Sequence, residues 1–134
     1  HQYRSVFDQA FTTAHWKPVF LIDADSVRLF PYLVMYRTAN KEWIFSVRSY
    51  AMQDYRDKFK VCLKVTSPSE TLNPNQSVES YHGYSFDGSL LSCMDDEQEV
   101  RASGHYLSLT DQQVKMLKAG STLLRYFVKI VKRD

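Results

Sequence analysis

Glycine, cysteine and unbalanced charge are all scarce in this chain, and each shortage removes a class of function. Four glycines in 134 residues leave little to build a phosphate cradle, and there is no P-loop, no Gly-x-Gly-x-x-Gly and no Gly-x-Ser-x-Gly elbow. Two cysteines, Cys62 and Cys93, make no framework of bridges. In a core-rich chain they read as free thiols in a reducing compartment, cytosol or nucleus. Seventeen basic residues against fifteen acidic ones leave a net charge of +2, without the concentrated basic face of a nucleic-acid binder. No apolar run approaches the roughly 20 residues that span a bilayer, and the start carries no signal-peptide pattern.

What the chain has is apolar and aromatic: 44% hydrophobic and 14% aromatic residues over 15.7 kDa. That is enough for one domain with its own core, and too much for a disordered segment. The clearest pattern is period two. Phe59, Val61, Leu63 and Val65 share one face of a strand, with Lys58, Lys60, Cys62 and Lys64 on the other. The lysine row reads as a solvated outer face, since a one-sided sheet demands alternate polar residues. Trp43, Phe45 and Val47 alternate in the same way with Ile44, Ser46 and Arg48.

His15 to Asp23 and Val27 to Tyr36 are two further strand candidates. Pro18 and the interruption at Pro31 suggest edges or a bulge. Asn40-Lys41 and Asp54 to Asp57 read as turns, Ser67 to Ser77 as a loop, and Tyr81 to Cys93 as a hairpin about Asp87-Gly88. Asp95, Asp96, Glu97 and Glu99 form an acidic loop without the spacing or glycine of a calcium loop. Thr110 to Gln113 matches a capping box that opens a short helix with Val114, Met116 and Leu117 on its apolar face, stopped at Gly120. Thr122 to Lys132 is the last strand and is apolar on both faces: Leu124, Tyr126, Val128 and Ile130 on one, Leu123, Phe127 and Val131 on the other. Seven or eight strands with one short helix give an all-β antiparallel sandwich.

No catalytic constellation emerges. Lys60 and Lys64 flank Cys62 and would lower its pKa, but no histidine accompanies it. Cys93 has only His82 and His105 within reach of sequence. On a strand Asp23 and Asp25 would share a face, but that is also the geometry of a turn flank, which is more common than a carboxylate pair.

Taken in order, several segments resemble the substrate-binding domain of the seven-in-absentia (Siah) ubiquitin ligases, a TRAF-like β-sandwich. They are His1-Gln2-Tyr3-Arg4-Ser5, Val19-Phe20-Leu21, Tyr32-Leu33-Val34-Met35, Trp43 to Val47, Lys58 to Leu63, Tyr84 to Gly88 and Leu107 to Ile130. The resemblance makes residues 1–5 the end of a preceding zinc-finger segment and 6–134 the TRAF-like domain. It implies zinc in the parent chain, with His1 as a last finger ligand, and no cofactor in this segment. It also implies a homodimer whose partners are degradation targets or adaptors, bound as an extended Val-x-Pro peptide along a sheet edge.

Tyr32, Leu33 and Met35 are the groove residues the resemblance implies. Leu33 replaces the family's aromatic, and Leu91 to Asp96 replaces its Trp-containing segment. Leu123 and Phe127, outward and apolar on the last strand, are the expected dimer surface. Ubiquitin transfer would belong to a RING outside this segment. Two other functions stand beside this one: a TRAF or MATH-type adaptor for receptor-tail peptides, which lacks preceding coiled-coil heptads here, and a thiol enzyme using Cys93 or Cys62.

Overall fold

The computed structural model describes residues 2–10, 14–19, 22–24 and 27–133. In chain order these form β1 (Gln2–Ala10), β2 (Ala14–Pro18), β3 (Ile22–Ala24), β4 (Val27–Leu29), β5 (Tyr32–Arg37), β6 (Glu42–Ser49), α1 (Gln53–Arg56) and β7 (Phe59–Thr66). They continue with β8 (Gly83–Ser89), β9 (Leu91–Ser92), α2 (Glu97–Ser103), β10 (Leu107–Thr110), α3 (Asp111–Lys118) and β11 (Leu123–Lys132). One sheet runs β1-β11-β7-β8 and the other β10-β6-β5-β2, with β9 parallel to β6 and β3-β4 a separate small hairpin. The protein is an all-β sandwich. Residues His1, Phe20, Leu21 and Asp25, and the side chains of His15 and Asp23, lie outside what is described.

Alternation fixes which row of each sheet faces inward. Phe59, Val61, Leu63 and Val65 of β7 and Leu124, Tyr126, Val128 and Ile130 of β11 form one wall of the core. Leu33 and Met35 of β5, Trp43, Phe45 and Val47 of β6, and Leu107 and Leu109 of β10 form the other. Burying these side chains is the main stabilising term, about 1.5–3 kcal/mol for each large one.

Several expectations change. Val27 to Tyr36 is not one strand: Phe30 and Pro31 divide it, and the two halves enter different sheets. Pro31 is buried, its carbonyl accepting from Val19 N–H at 3.0 Å, and β5 lies inside its sheet, so the proline marks no edge. Asp87-Gly88 is no hairpin turn. Both lie within β8, opposite Cys62 and Val61. Gly88 is needed for a close approach: a Cβ there would stand 2.8 Å from His105 Nδ1.

The acidic loop is an N-cap. Asp96 accepts from Glu99 N–H, and Glu99 accepts from Asp96 N–H, opening α2 with the same reciprocal box that opens α3 at Thr110 and Gln113. The described residues hold three short α-helices rather than one. Gln2 to Ser5 are the first half of β1, paired residue by residue with β11.

One ion pair locks α3 to the sheet. The Asp111 carboxylate accepts from Arg37 Nε and Nη2 at 3.1 and 2.6 Å, and from Trp43 Nε1 at 2.7 Å. The Arg37 bonds, then the indole, hold the Asp111 carboxyl down to about 2. A depressed folded value means that the stability it contributes is complete above the ordinary 3.8 and is lost as pH falls toward about 2. Asp111→Asn should flatten the fall of denaturation midpoint across that window relative to the unaltered protein. An unchanged slope would show that Asp111 carries no such linkage.

Candidate functional site

The two outer faces differ in what covers them. Behind β1-β11-β7-β8, the segment between β7 and β8 folds back over the sheet. Tyr81 stacks on Phe127 at 5.2 Å. Arg125 forks onto Asp8 (2.7 and 3.1 Å) and donates to the Glu70 carbonyl. Lys64 Nζ donates to the carbonyls of Val78 and Glu79 at 2.9 and 3.3 Å. The lysine row is thus partly spent on holding this segment. Phe127, an expected dimer residue, is 7% exposed beneath Tyr81 of its own chain, because the loop supplies the apolar cover that a partner was expected to provide. Leu123 is half-buried at the start of β11.

The outer face of β10-β6-β5-β2 is covered only in part. Leu91 of β9 and Val100 of α2 close over Ile44, with Tyr36 and Tyr106 beside them. Toward β2 the sheet stays open. Trp16 is 66% exposed and Tyr50 75%. Tyr32 lies between them, its ring 5.8 Å from Trp16 edge-on and 5.6 Å from Tyr50. With Val34 and Tyr36 they line a shallow recess of about 370 Å³. Exposed Met52 and Met94 stand on nearby connections: Met52 follows Tyr50 by two residues, and Met94 follows Cys93, whose N–H donates to the Ser49 carbonyl.

Two exposed aromatics bridged by a third on an open sheet are unusual for a solvated surface, which normally scatters its apolar groups. Trp and Tyr offer large, stiff contact area, with an N–H or O–H for a partner's backbone. Burial, then the neighbouring Cys93 and Tyr50, pushes the Tyr32 phenol up, so it remains a neutral hydrogen-bonding group.

Of the three expected groove residues, two border this recess: Tyr32 with its half-exposed ring, and Met35, which is itself fully buried. Tyr32 faces outward beside Trp16. Leu33 and Met35 point the opposite way and are fully buried in the core, opposite Val47 and Phe45. They occupy the inward row of an interior strand, so no ligand on the outer face reaches their side chains. Trp16 and Tyr50 belong to the cluster and were missed. Their only sequence signal is aromatic character, Trp16 near the start of the His15 to Asp23 run and Tyr50 just after β6.

The surroundings of Cys62 do not activate it. Burial and then the Asp87 carboxylate raise the Cys62 thiol, outweighing Lys129 and Lys60, so the flanking lysines do not make it a thiolate. His105 Nδ1 is occupied at β8, accepting from the Ser89 backbone N–H at 3.3 Å, while the His82 backbone N–H, not its ring, donates to the Glu70 carboxylate. Among the described residues no group of three His, Cys, Asp or Glu is placed to hold a metal ion, and no helix is long and apolar enough to cross a membrane. No protein-family model and no curated protein matches this chain.

Proposed function

We propose that this domain is a peptide receptor, the target-binding domain of a Siah-like ubiquitin ligase, and that it does no chemistry itself. The Trp16–Tyr32–Tyr50 cluster carries this reading: contiguous, exposed, and sited where the sandwich leaves one sheet uncovered. The occupant is an extended segment of a partner protein, because β2 is the outermost described strand of that sheet. A chain lying along it meets backbone on one side and aromatic rings on the other. The order of strands along the chain supports the Siah-like reading, with ubiquitin transfer left to a RING beyond this segment. The cytosol or nucleus is the compartment that goes with such a role.

A fluorescein-labelled Val-x-Pro peptide should bind saturably. Trp16→Ala and Tyr50→Ala should each weaken binding at least about tenfold, the scale of an interface hot spot. Both side chains are exposed, so melting should stay close to that of the unaltered protein. No saturable binding of that peptide, or binding indifferent to both substitutions, would overturn the reading.

A further inference from the structure

We propose that Arg48 is a carboxylate-binding subsite of the aromatic face, so that the partner segment carries a glutamate beside the residues that meet Trp16, Tyr32 and Tyr50. The inference rests on the peptide-receptor reading and deepens it by naming the charge the partner brings.

Two arginines of the sandwich are buried to the same degree and are treated differently. Arg125, 8% exposed, forks onto the Asp8 carboxylate. Arg48, 9% exposed, has only neutral acceptors. Its Nε donates to the Ser46 hydroxyl at 3.2 Å and its Nη1 to the Asp95 carbonyl at 3.0 Å. Those bonds use two of the five N–H donors that a guanidinium carries. A cation taken this far out of water needs a counter-charge to offset the lost hydration.

The chain supplies none. The Asp95 carboxylate accepts from the Ser92 N–H at 3.1 Å instead, and Asp96 caps α2. Glu42 and Glu97 both face Arg101, at 2.6 and 3.5 Å. Among the described residues no carboxylate pairs with Arg48.

Position ties this cation to the open face. Arg48 stands on the outward row of β6, directly opposite Tyr32 of β5. The phenols of Tyr32 and Tyr36, which both line the recess, each feel its charge. It lies two strands in from β2, about 10 Å across the sheet. A backbone added along β2 does not reach that far, so the partner's carboxylate comes from a side chain crossing the face over Tyr32. Glutamate has the longer reach of the two acidic side chains, and its methylenes suit an aromatic surface. A charge pair closed off from water on its other sides is the kind that contributes strongly to binding and selects between partners.

The plainer role for Arg48 is a tie that holds the segment after β9 to β6 through the Asp95 carbonyl. A tie is indifferent to charge on a ligand, and a subsite is not. Labelled Val-x-Pro peptides with glutamate at each flanking position in turn, titrated beside matching glutamine peptides, separate the two. At one position glutamate should bind at least about tenfold more tightly than glutamine. Arg48→Gln should erase that difference and still bind the glutamine peptide. Should Arg48→Gln fail to fold, the Arg48 Nε–H resonance of the unaltered protein decides: it should shift with the glutamate peptide and stay in place with the glutamine one. Val-x-Pro peptides that bind without a glutamate preference at any position, a preference that survives Arg48→Gln, or a resonance that stays in place with both peptides overturns the subsite and leaves the receptor reading standing. No binding by any of the peptides overturns both.

Discussion

Leu33→Asp is expected to abolish the folded domain, and Met35→Lys to do the same, whereas Tyr32→Ala between them should leave the fold intact and weaken peptide binding. Leu33 and Met35 are fully buried among Phe45, Val47 and the rest of the inter-sheet core. A charge placed there has no partner and no water; even after it neutralises, an unpaired polar group and a misfit volume remain in the core, a cost on the scale of the roughly 5–15 kcal/mol by which domains are stable. The gentler Met35→Ala removes the thioether without adding polarity and should cost about 2–5 kcal/mol.

Tyr32 turns the other way by the alternation of the strand, so its truncation removes contact area from the Trp16–Tyr32–Tyr50 cluster and little from the core. Circular dichroism melts and amide spectra of the three variants separate the outcomes. A folded Leu33→Asp with an unaltered melt and lost peptide binding would instead place that side chain in the groove.

That contrast shows where the sequence was readable. β6 and β7 were legible in facing as well as existence, because each has one row that is plainly more apolar than the other. Tyr32-Leu33-Val34-Met35-Tyr36 has apolar residues on both rows. Period two then identifies a strand without saying which row is inside, and the family resemblance supplied an orientation that burial reverses. Exposure of Trp16 and Tyr50 has no local signature at all. It follows from how far α2 and β9 reach across the sheet, which is a tertiary fact.

Other misses had signals that a competing pattern masked. Asp96-Glu97-Gln98-Glu99 ahead of Val100, with Gly104 after it, has the box and stop of a helix as clearly as Thr110 to Gly120 does. The density of carboxylates drew attention to a loop. Gln2 to Ala10 alternates Tyr3, Ser5 and Phe7 with Arg4, Val6 and Asp8, a strand pattern that begins within the segment the resemblance assigns to a preceding zinc finger. Asp87-Gly88 is a favoured turn pair, but Gly88 serves the approach of His105 from a residue seventeen positions later, which no local rule detects.

The second large effect falls on the residue that joins the two sheets. Tyr126 is fully buried on the inward row of β11, its ring stacked on Phe7 at 5.4 Å and 6.2 Å from Phe45 of the opposing sheet. Tyr126→Ala empties the volume of an aromatic ring from the centre of the sandwich. The lost transfer energy and the residual cavity together should cost about 3–5 kcal/mol, enough to lower the denaturant midpoint sharply. Burial also drives the Tyr126 phenol far above its ordinary value of 10.0. A folded value raised in this way leaves the contribution intact below about pH 10 and removes it as pH climbs beyond, because the unfolded chain releases the proton first. Tyr126→Phe keeps the ring and cannot ionise. It should hold the neutral-pH midpoint near that of the unaltered protein and lose stability more gradually above pH 10. Equilibrium denaturation of both variants at neutral and alkaline pH tests each part. A Tyr126→Ala midpoint close to the original would mean that the sheets hold together without this ring, and an alkaline slope shared by Tyr126→Phe would assign the pH response to other groups.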